Sequence, residues 1–509
     1  MQTQILVMDF GSQYAHLIAR RVRDHGVYSE VVPNSLTARE IRDAHPNVKG
    51  IILSGGPDDV VKKDAPQCDK KLFDLGIPVL GLCYGHHVIG HYLGGKVGLG
   101  AGREYGMTRL KVIRQDGILK GFDKTENVWM NHGNSVTALP SGFEVAAKTD
   151  DCIAVIQNKE RGIYGVQFHP EVTHTKKGKV LLKNFVFDIC SCKKDWSMEH
   201  FIAHEIDRIK EQVGKRRAII GLSGGVDSSV AAVLASKAIG SRLTAVFVDT
   251  GFMRLDEPEF IKKAFSSWDM KLEMIDARER FYGALKGVVD PERKRKIIGE
   301  LFIKVFDEVA VKEKAGILIQ GTIYPDRIES GGSKNASVIK SHHNVGGLPK
   351  DMKLELCEPL ADLYKDEVRA VAKKVGLSSE LALRHPFPGP GLAIRIIGEC
   401  TEESVEVVKQ ANHIVLDELR KAGEYDNIWQ AFAVLLPVKS VGVQGDARSY
   451  KKVVAVRLVN SVDAMSASFS KVPYSLLENI STRITNEIKE VNRVVYDITN
   501  KPPGTIEWE

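Results

Sequence analysis

Short, nearly uninterrupted apolar runs that stop at glycine turns recur along this chain, and they point to folds built on buried parallel sheets. QILVMDF (4–10), VKGIILSGGP (48–57) and IPVLGLCYG (77–85) have the length and composition of strands covered on both faces. YAHLIARRVRDHG (14–26) has helical spacing, so the first part reads as a βαβ alternation. TRLKVIR, ENVWMNHG, FEVAAKT and IYGVQFHPEV extend it with strands, and VLLKNFVFDICS (180–191) is expected to close it as a helix. A second alternation begins with strand 217–222, helix 228–238, strand 243–250, helix 257–268 and strand 271–277. A long helical region over 291–314 and a strand over 316–322 follow. The polar, glycine-rich stretch 329–351 reads as a functional lid. RHPFPGPG (384–391) marks a boundary or a rigid ligand-contacting turn. Beyond it, LAIRIIGE, helix 402–421, two strand-like runs and helix 474–491 form a smaller α+β unit.

A chain of 509 residues exceeds one comfortable core. The expectation is therefore an α/β protein with two doubly wound, mostly parallel-sheet domains, 1–195 and 196–384, and a smaller α+β domain, 385–509. The net charge of +6, from 71 basic and 65 acidic residues, does not suggest a dedicated nucleic-acid binder but suits small phosphorylated ligands. Seven cysteines make no disulfide framework, and Cys190-Ser-Cys192 lacks the spacing of a zinc knuckle. The N-terminal MQTQILVMDF reads as a first strand rather than a signal peptide, and no apolar run approaches the ~18 residues that span a bilayer. The chain is expected to be soluble and cytoplasmic, with no membrane partner. RKRK (293–296) reads as the solvated face of the 291–314 helix.

Two stretches carry chemistry. In VLGLCYG, Cys83 ends a strand between Gly81 and Gly85 and precedes a helix pattern, the strand–turn–helix geometry of a nucleophile elbow. A helix N-terminus favours the anionic form of a thiol placed there. His169 ends the strand in VQFHPEV, and Glu171 projects to the same side two residues on, so a base and its orienting carboxylate are present. Backbone N–H groups at Gly56, in SGGP, and at Tyr84 could form an oxyanion hole. The second stretch, IIGLSGGVDSSVAAVLA (219–235), joins a strand to a helix through a glycine–serine turn suited to an anion, yet it lacks the Gly-Lys-Ser/Thr of a P-loop that hydrolyses nucleotides.

GLCYG, FHPE and SGGP resemble the class I glutamine amidotransferases, and SGGVDSS resembles the PP-loop of the ATP pyrophosphatases. Together with FVDTG, GTIYPDRIES, IKSHHNVGGLP, RHPFPGPG, SVGVQGDARSY and the terminal KPPGTIEWE, the whole chain is similar to the glutamine-hydrolysing GMP synthetase family. The resemblance implies that Cys83, His169 and Glu171 hydrolyse glutamine and that ammonia aminates xanthosine 5′-monophosphate (XMP) after ATP has adenylated it. It implies that His87 and Asn131 line the glutamine pocket. ATP is expected at Gly221, Ser223, Gly224, Gly225, Val226, Asp227, Ser228, Ser229, Val248 and Gly321, with Asp227 near Mg²⁺. XMP contacts are expected from Arg254, Arg384, Gln444, Lys501, Ile506 and Glu507, and the last domain is expected to form a homodimer. The missing lysine then fits a loop that grips a departing pyrophosphate.

Two positions depart from the family pattern. His87 stands where glutamine is usual, and Asn134 where many relatives carry aspartate. Imidazole cannot present the paired donor and acceptor of an amide, so glutamine affinity is expected to differ or to depend more on Asn131. Two alternatives stay open: another PP-loop amidotransferase such as NAD synthetase, and a catalytically silent nucleotide-binding regulator.

Overall fold

The computed structural model describes all residues except Met1, Pro325, 327–353, Gly445 and 462–465, and only the backbone of Ala101 and Gln444. The expected lid at 329–351 therefore lies outside the described residues. The chain forms two compact units, Met1–Phe201 and Ile202–Glu509.

The first unit is built on a nine-stranded sheet. Its strands are β1 (Ile5–Asp9), β2 (Ser29–Pro33), β3 (Gly50–Leu53), β4 (Val79–Leu82), β5 (Lys96–Val112), β6 (Thr125–Ala138), β7 (Glu144–Lys148), β8 (Ile153–Asn158) and β9 (Ile163–Val166). They lie in the order β2-β1-β3-β4-β9-β8-β7-β5-β6. The half from β2 to β9 is parallel, and the half from β8 to β6 is an antiparallel extension. Alternation along β1 explains why the parallel half reads as unbroken apolar runs. Ile5 and Val7 enter one core with Ile52, Leu80 and Leu82, whereas Leu6 and Met8 enter another with Ile51, Leu53 and Val79. The expected helix 180–191 is divided: Gly178–Lys183 is α-helical, and Asn184–Ile189 is a wider π turn. At that transition the Asn184 amide donates to the carbonyls of Ile118 and Lys120.

In the second unit an all-parallel sheet of β10 (Arg217–Gly221), β11 (Leu243–Asp249), β12 (Lys271–Asp276), β13 (Ala315–Ile319) and β14 (Glu355–Cys357) has the order β12-β11-β10-β13-β14. The direction of winding reverses between β10 and β13, the crevice where open α/β sheets receive ligands. A smaller sheet holds β15 (Gln430–Gln444), β16 (Ala447–Asn460), β17 (Ser468–Phe469) and β18 (Val491–Tyr496). Helix Tyr474–Glu487 stops short of the expected 491, because VNRVVY is rich in β-branched residues and pairs with β16 as a strand. One apolar core runs from Ile219 and Val246 through helix Glu402–Lys421 to Val454 and Ile480.

The reading of 293–296 as a solvated face is corrected at one position. Lys294 is fully buried, and its ammonium donates to the carbonyls of Ala393 and Ile396 and pairs with the Glu509 carboxylate. A charge at that depth is tolerable only with such partners.

Candidate functional site

Cys83 follows β4 with φ of 52° and ψ of −103°, a strained conformation for a residue bearing a Cβ. The turn is held because its flanking glycines admit no side chain. A Cβ on Gly81 would lie 2.3 Å from the Gly85 carbonyl oxygen, and one on Gly85 would lie 2.4 Å from that of Leu53. The chain then enters helix Tyr84–Tyr92, so the thiol stands at the helix N-terminus. It donates weakly to the Asn131 carbonyl at 3.8 Å and receives the Gln167 amide at 3.9 Å.

His169 lies beside it on the segment after β9. Its Nδ1 is 2.7 Å from Glu171 Oε1, and both side chains are buried. The His169 main chain is fixed by the Trp129 carbonyl and the Thr175 hydroxyl. Nε2 makes no hydrogen bond of ordinary geometry, though Cys83 is within its electrostatic reach. Burial alone would lower the imidazole pKa; the Glu171 carboxylate, and then Cys83, outweigh it and raise the value to about 11. Gly55 separates the pair from the wall of the site, since a Cβ there would lie 3.5 Å from His169 Cε1 and 3.8 Å from Cys83 Cβ. Gly56 packs against Tyr84, with Tyr84 Cγ 3.1 Å from where its Cβ would be. The structure thus brings together Cys83, His169, Glu171, Gly56 and Tyr84.

The raised value gives a stability signature. A histidine held above its ordinary value of 6.5 contributes stability that is complete below pH 6.5 and is lost as pH rises through about 11. In Glu171→Gln, the deficit in melting temperature relative to the parent is expected to be largest near pH 6.5 and to shrink toward pH 11. A deficit independent of pH would show that the carboxylate does not hold the proton on His169.

His87 and Asn131 occupy the expected neighbourhood in unexpected ways. His87 is buried and turned inward, with Nε2 2.8 Å from Gln167 Oε1. Burial pushes His86 down to about 3 and His87 to about 4, so both are neutral near pH 7. Asn131 offers its backbone carbonyl to the thiol, while the residue itself is exposed. Gln167, which joins His87 to Cys83, was missed in the sequence because nothing marks one polar residue just past the end of a strand.

In the second unit the loop after β10 forms a hydroxyl-lined turn. Ser223 and Ser228 hydroxyls lie 3.1 Å apart, and the Ser223 N–H donates to Ser228 Oγ. Gly224 has φ of +74°, and Gly225 caps helix Val226–Ile239. Gly321, after β13, lies against the first turn of that helix; its Cβ would be 2.9 Å from the Ser228 nitrogen. Ser229 is fully buried, with its hydroxyl donated to the Gly225 carbonyl, and Val226 and Val248 are also buried. Those three shape the turn from beneath, whereas Ser223 is exposed. Gly221 faces Phe302 and Phe306.

A lysine from outside the loop lies against it. Lys365, at the start of helix Lys365–Val375, pairs with Asp227 Oδ2. Asp227 Oδ1 is buried without a hydrogen-bond partner, which suits a cation held between this carboxylate and a phosphate. The resemblance to the PP-loop predicts that Lys365→Met lowers adenylation by roughly 10²-fold with either nitrogen donor while sparing glutamine hydrolysis. Pyrophosphate release at the parental rate would remove Lys365 from the phosphate site.

Arginines connect this loop to the C-terminal segment. Arg384 makes a bidentate pair with Glu257 at 2.7–2.8 Å and reaches the Gly224 carbonyl. Arg254 lies over the Phe387 ring at 4.3 Å and donates to the His385 carbonyl. Burial, with Arg384 adding to it, lowers the Arg254 pKa to about 9. Arg395, which the sequence did not mark, stacks on Phe432 and holds Glu507 through two hydrogen bonds. Gln430 joins Glu507 to the Pro386 carbonyl. Glu507 is therefore already partnered by protein, and Ile506 is buried against Phe432. The Lys501 backbone pairs with Ala467. The side chain of Gln444 is outside the described residues.

Comparison with known proteins divides the chain in the same sequence order. Residues 6–189 match the family described as glutamine amidotransferase class-I, 198–295 the NAD synthase family, and 417–508 the GMP synthase C terminal domain family. A GMP synthase (glutamine-hydrolyzing) of Brachyspira hyodysenteriae is 52% identical over 510 residues, covering 99% of each chain. Its namesake in Aquifex aeolicus is 53% identical over 507 residues, again covering 99% of each.

Proposed function

This chain belongs to the glutamine-hydrolysing GMP synthases, and from that premise we propose how its residues share the reaction. The enzyme is a carbon–nitrogen ligase that aminates XMP to GMP with nitrogen from glutamine, as ATP becomes AMP and pyrophosphate. The NAD synthase match spans only 198–295, the segment that carries the loop, so that alternative is not favoured.

Cys83 Sγ attacks the side-chain amide carbon of glutamine as a thiolate paired with the His169 imidazolium. The Gly56 and Tyr84 N–H groups receive the oxyanion. His169 then protonates the departing ammonia, leaving a γ-glutamyl thioester, and next removes a proton from the water that releases glutamate. Glu171 keeps the imidazole oriented. In the second unit the 2-oxygen of XMP displaces pyrophosphate from the α-phosphorus of ATP, and Ser223, Gly224, Gly225 and Ser228 hold the leaving group. Ammonia adds at C2, and AMP departs. Mg²⁺ beside Asp227 would neutralise phosphate charge. The XMP phosphate and base are assigned to the arginine-rich turn around Arg254 and to the 501–507 segment.

The observation that carries this division is the pairing, in one chain, of a strained cysteine elbow backed by an imidazole–carboxylate pair with a lysine-free glycine–serine loop at a sheet's switch point. The test is GMP formation from XMP, ATP and Mg²⁺ with glutamine or ammonium as donor. Product from both is expected; no product from either would overturn the assignment.

We further infer a homodimer through the third segment, 385–509, with 1–195 and 196–384 as the glutaminase and adenylating domains. Val441, Val443 and Tyr450 stand 59%, 74% and 67% exposed along the β15–β16 hairpin, an apolar row that suits a second copy. Val441→Asp combined with Val443→Asp is expected to halve the sedimenting mass; an unchanged mass would exclude this hairpin as the interface. Seven free cysteines suit a reducing cytoplasm. No described helix is long and apolar enough to cross a membrane.

A further inference from the structure

Outside the cysteine elbow, the first unit holds a second cluster of a thiol, an imidazole and a carboxylate. Glu104 on β5 and His132 on β6 are directly opposite across the antiparallel pair, and Cys152 lies in the turn before β8. All three are buried, and one donor atom from each lies within 4.8 Å of the others. None of them takes part in the chemistry above.

The polar contacts suit an ion. His132 Nδ1 is 2.9 Å from the Asn134 carbonyl oxygen, which can only accept, so Nδ1 carries the proton. In the neutral ring Nε2 then presents a lone pair, and it faces Glu104 Oε2 at 3.0 Å. An imidazole nitrogen and a carboxylate oxygen, both acceptors, need a proton or a cation to bring them together. Anchoring the far ring nitrogen on a carbonyl is also how protein metal sites fix a histidine ligand. On the third side the Thr149 hydroxyl is 3.5 Å from Cys152 Sγ, placed to donate to a thiolate.

We propose that Glu104, His132 and Cys152 form a binding site for a zinc-class divalent cation, with water in a fourth position. One sulfur, one imidazole nitrogen and one carboxylate oxygen form a donor set that a tetrahedral zinc ion accepts. Ligand bonds of roughly 2.0–2.3 Å require the three atoms to draw in to about 3.2–3.7 Å of one another, a movement that side-chain torsions on neighbouring strands can supply. Binding releases the Cys152 proton to solvent and leaves the His132 proton on Nδ1. The ion would staple β5, β6 and the β7–β8 turn, next to Asn131, whose carbonyl meets the Cys83 thiol.

The test uses the full chain carrying Cys83→Ser, so that the elbow cannot supply the sulfur. Titration with Co²⁺ is expected to produce a thiolate-to-cobalt charge-transfer band in the near ultraviolet that saturates at one equivalent and is bleached by Zn²⁺. Adding Cys152→Ala should remove the band. Adding Glu104→Gln should keep it but weaken Co²⁺ affinity about 10-fold or more; this variant decides the question if Cys152→Ala does not fold. Absence of the band in the Cys83→Ser chain would overturn the site. So would a band that survives Cys152→Ala, or an affinity unchanged by Glu104→Gln.

Discussion

Cys83→Ala is expected to abolish GMP formation from glutamine while leaving formation from ammonium within a few-fold of the parent. Loss of a nucleophile whose partners act only through it costs roughly 10⁴-fold or more in turnover. Alanine occupies less space than cysteine, so the turn set by Gly81 and Gly85 should persist at φ of 52°. The loop at 223–229, proposed to serve adenylation, lies in the other compact unit. The informative readout is therefore the ratio of the two donor rates, which no general loss of folding can imitate. Glutamine-driven synthesis surviving above about one percent of the parent would assign the nucleophile to another residue, because a bystander cysteine rarely carries more.

Gly224→Val is expected to do the reverse, depressing synthesis with both donors by about 10²–10³-fold while Cys83-dependent glutamine hydrolysis continues. Two physical effects add. Gly224 has φ of +74°, where a β-branched residue is strained by about 1–3 kcal/mol. Its new Cβ would also lie 2.2 Å from Glu257 Oε1. Glu257 is buried and bidentate with Arg384, so it cannot move without orphaning a charge. The loop must shift instead, and its N–H groups lose their aim at the leaving pyrophosphate. Parental ammonium-driven synthesis in a folded Gly224→Val chain would remove this loop from the adenylation step. Ser229→Ala, beneath the same turn, makes a useful contrast, because its hydroxyl is donated only to Gly225 and points away from the loop surface.

The signals legible in the sequence were local ones. Gly81, Cys83 and Gly85 could be read as an elbow because close packing at the end of a strand tolerates no side chain at the flanking positions. His169 and Glu171 could be paired because residues two apart in extended chain share a side. The loop at 223–229 announced itself through glycine and serine at the start of a helix. Lys365 gave no such signal: it lies 138 residues from Asp227, in a segment where lysine is unremarkable. Arg395 and Gln430 were silent for the same reason, since a buried guanidinium in a turn and an amide in a strand look like any other polar residue until Glu507 meets both.

Lys294 marks the limit from the other side. A run of four basic residues on a helix reads as solvated, yet one of the four points inward and is held by two carbonyls and a carboxylate more than 90 positions away. His87 drew attention through its position, where the resemblance implies a glutamine contact; only the fold shows it buried and meeting Gln167.

By itself, then, the sequence determined the alternation of elements, the two glycine-bearing turns and the residue types within them. Hydrophobic period, glycine position and short-range geometry act over a few residues. Only the tertiary structure decided which charges are paired, which histidines are neutral, that Lys365 meets Asp227, and that Glu104, His132 and Cys152 meet. Those outcomes depend on desolvation and on contacts between strands and helices far apart in the chain, and no local pattern encodes either.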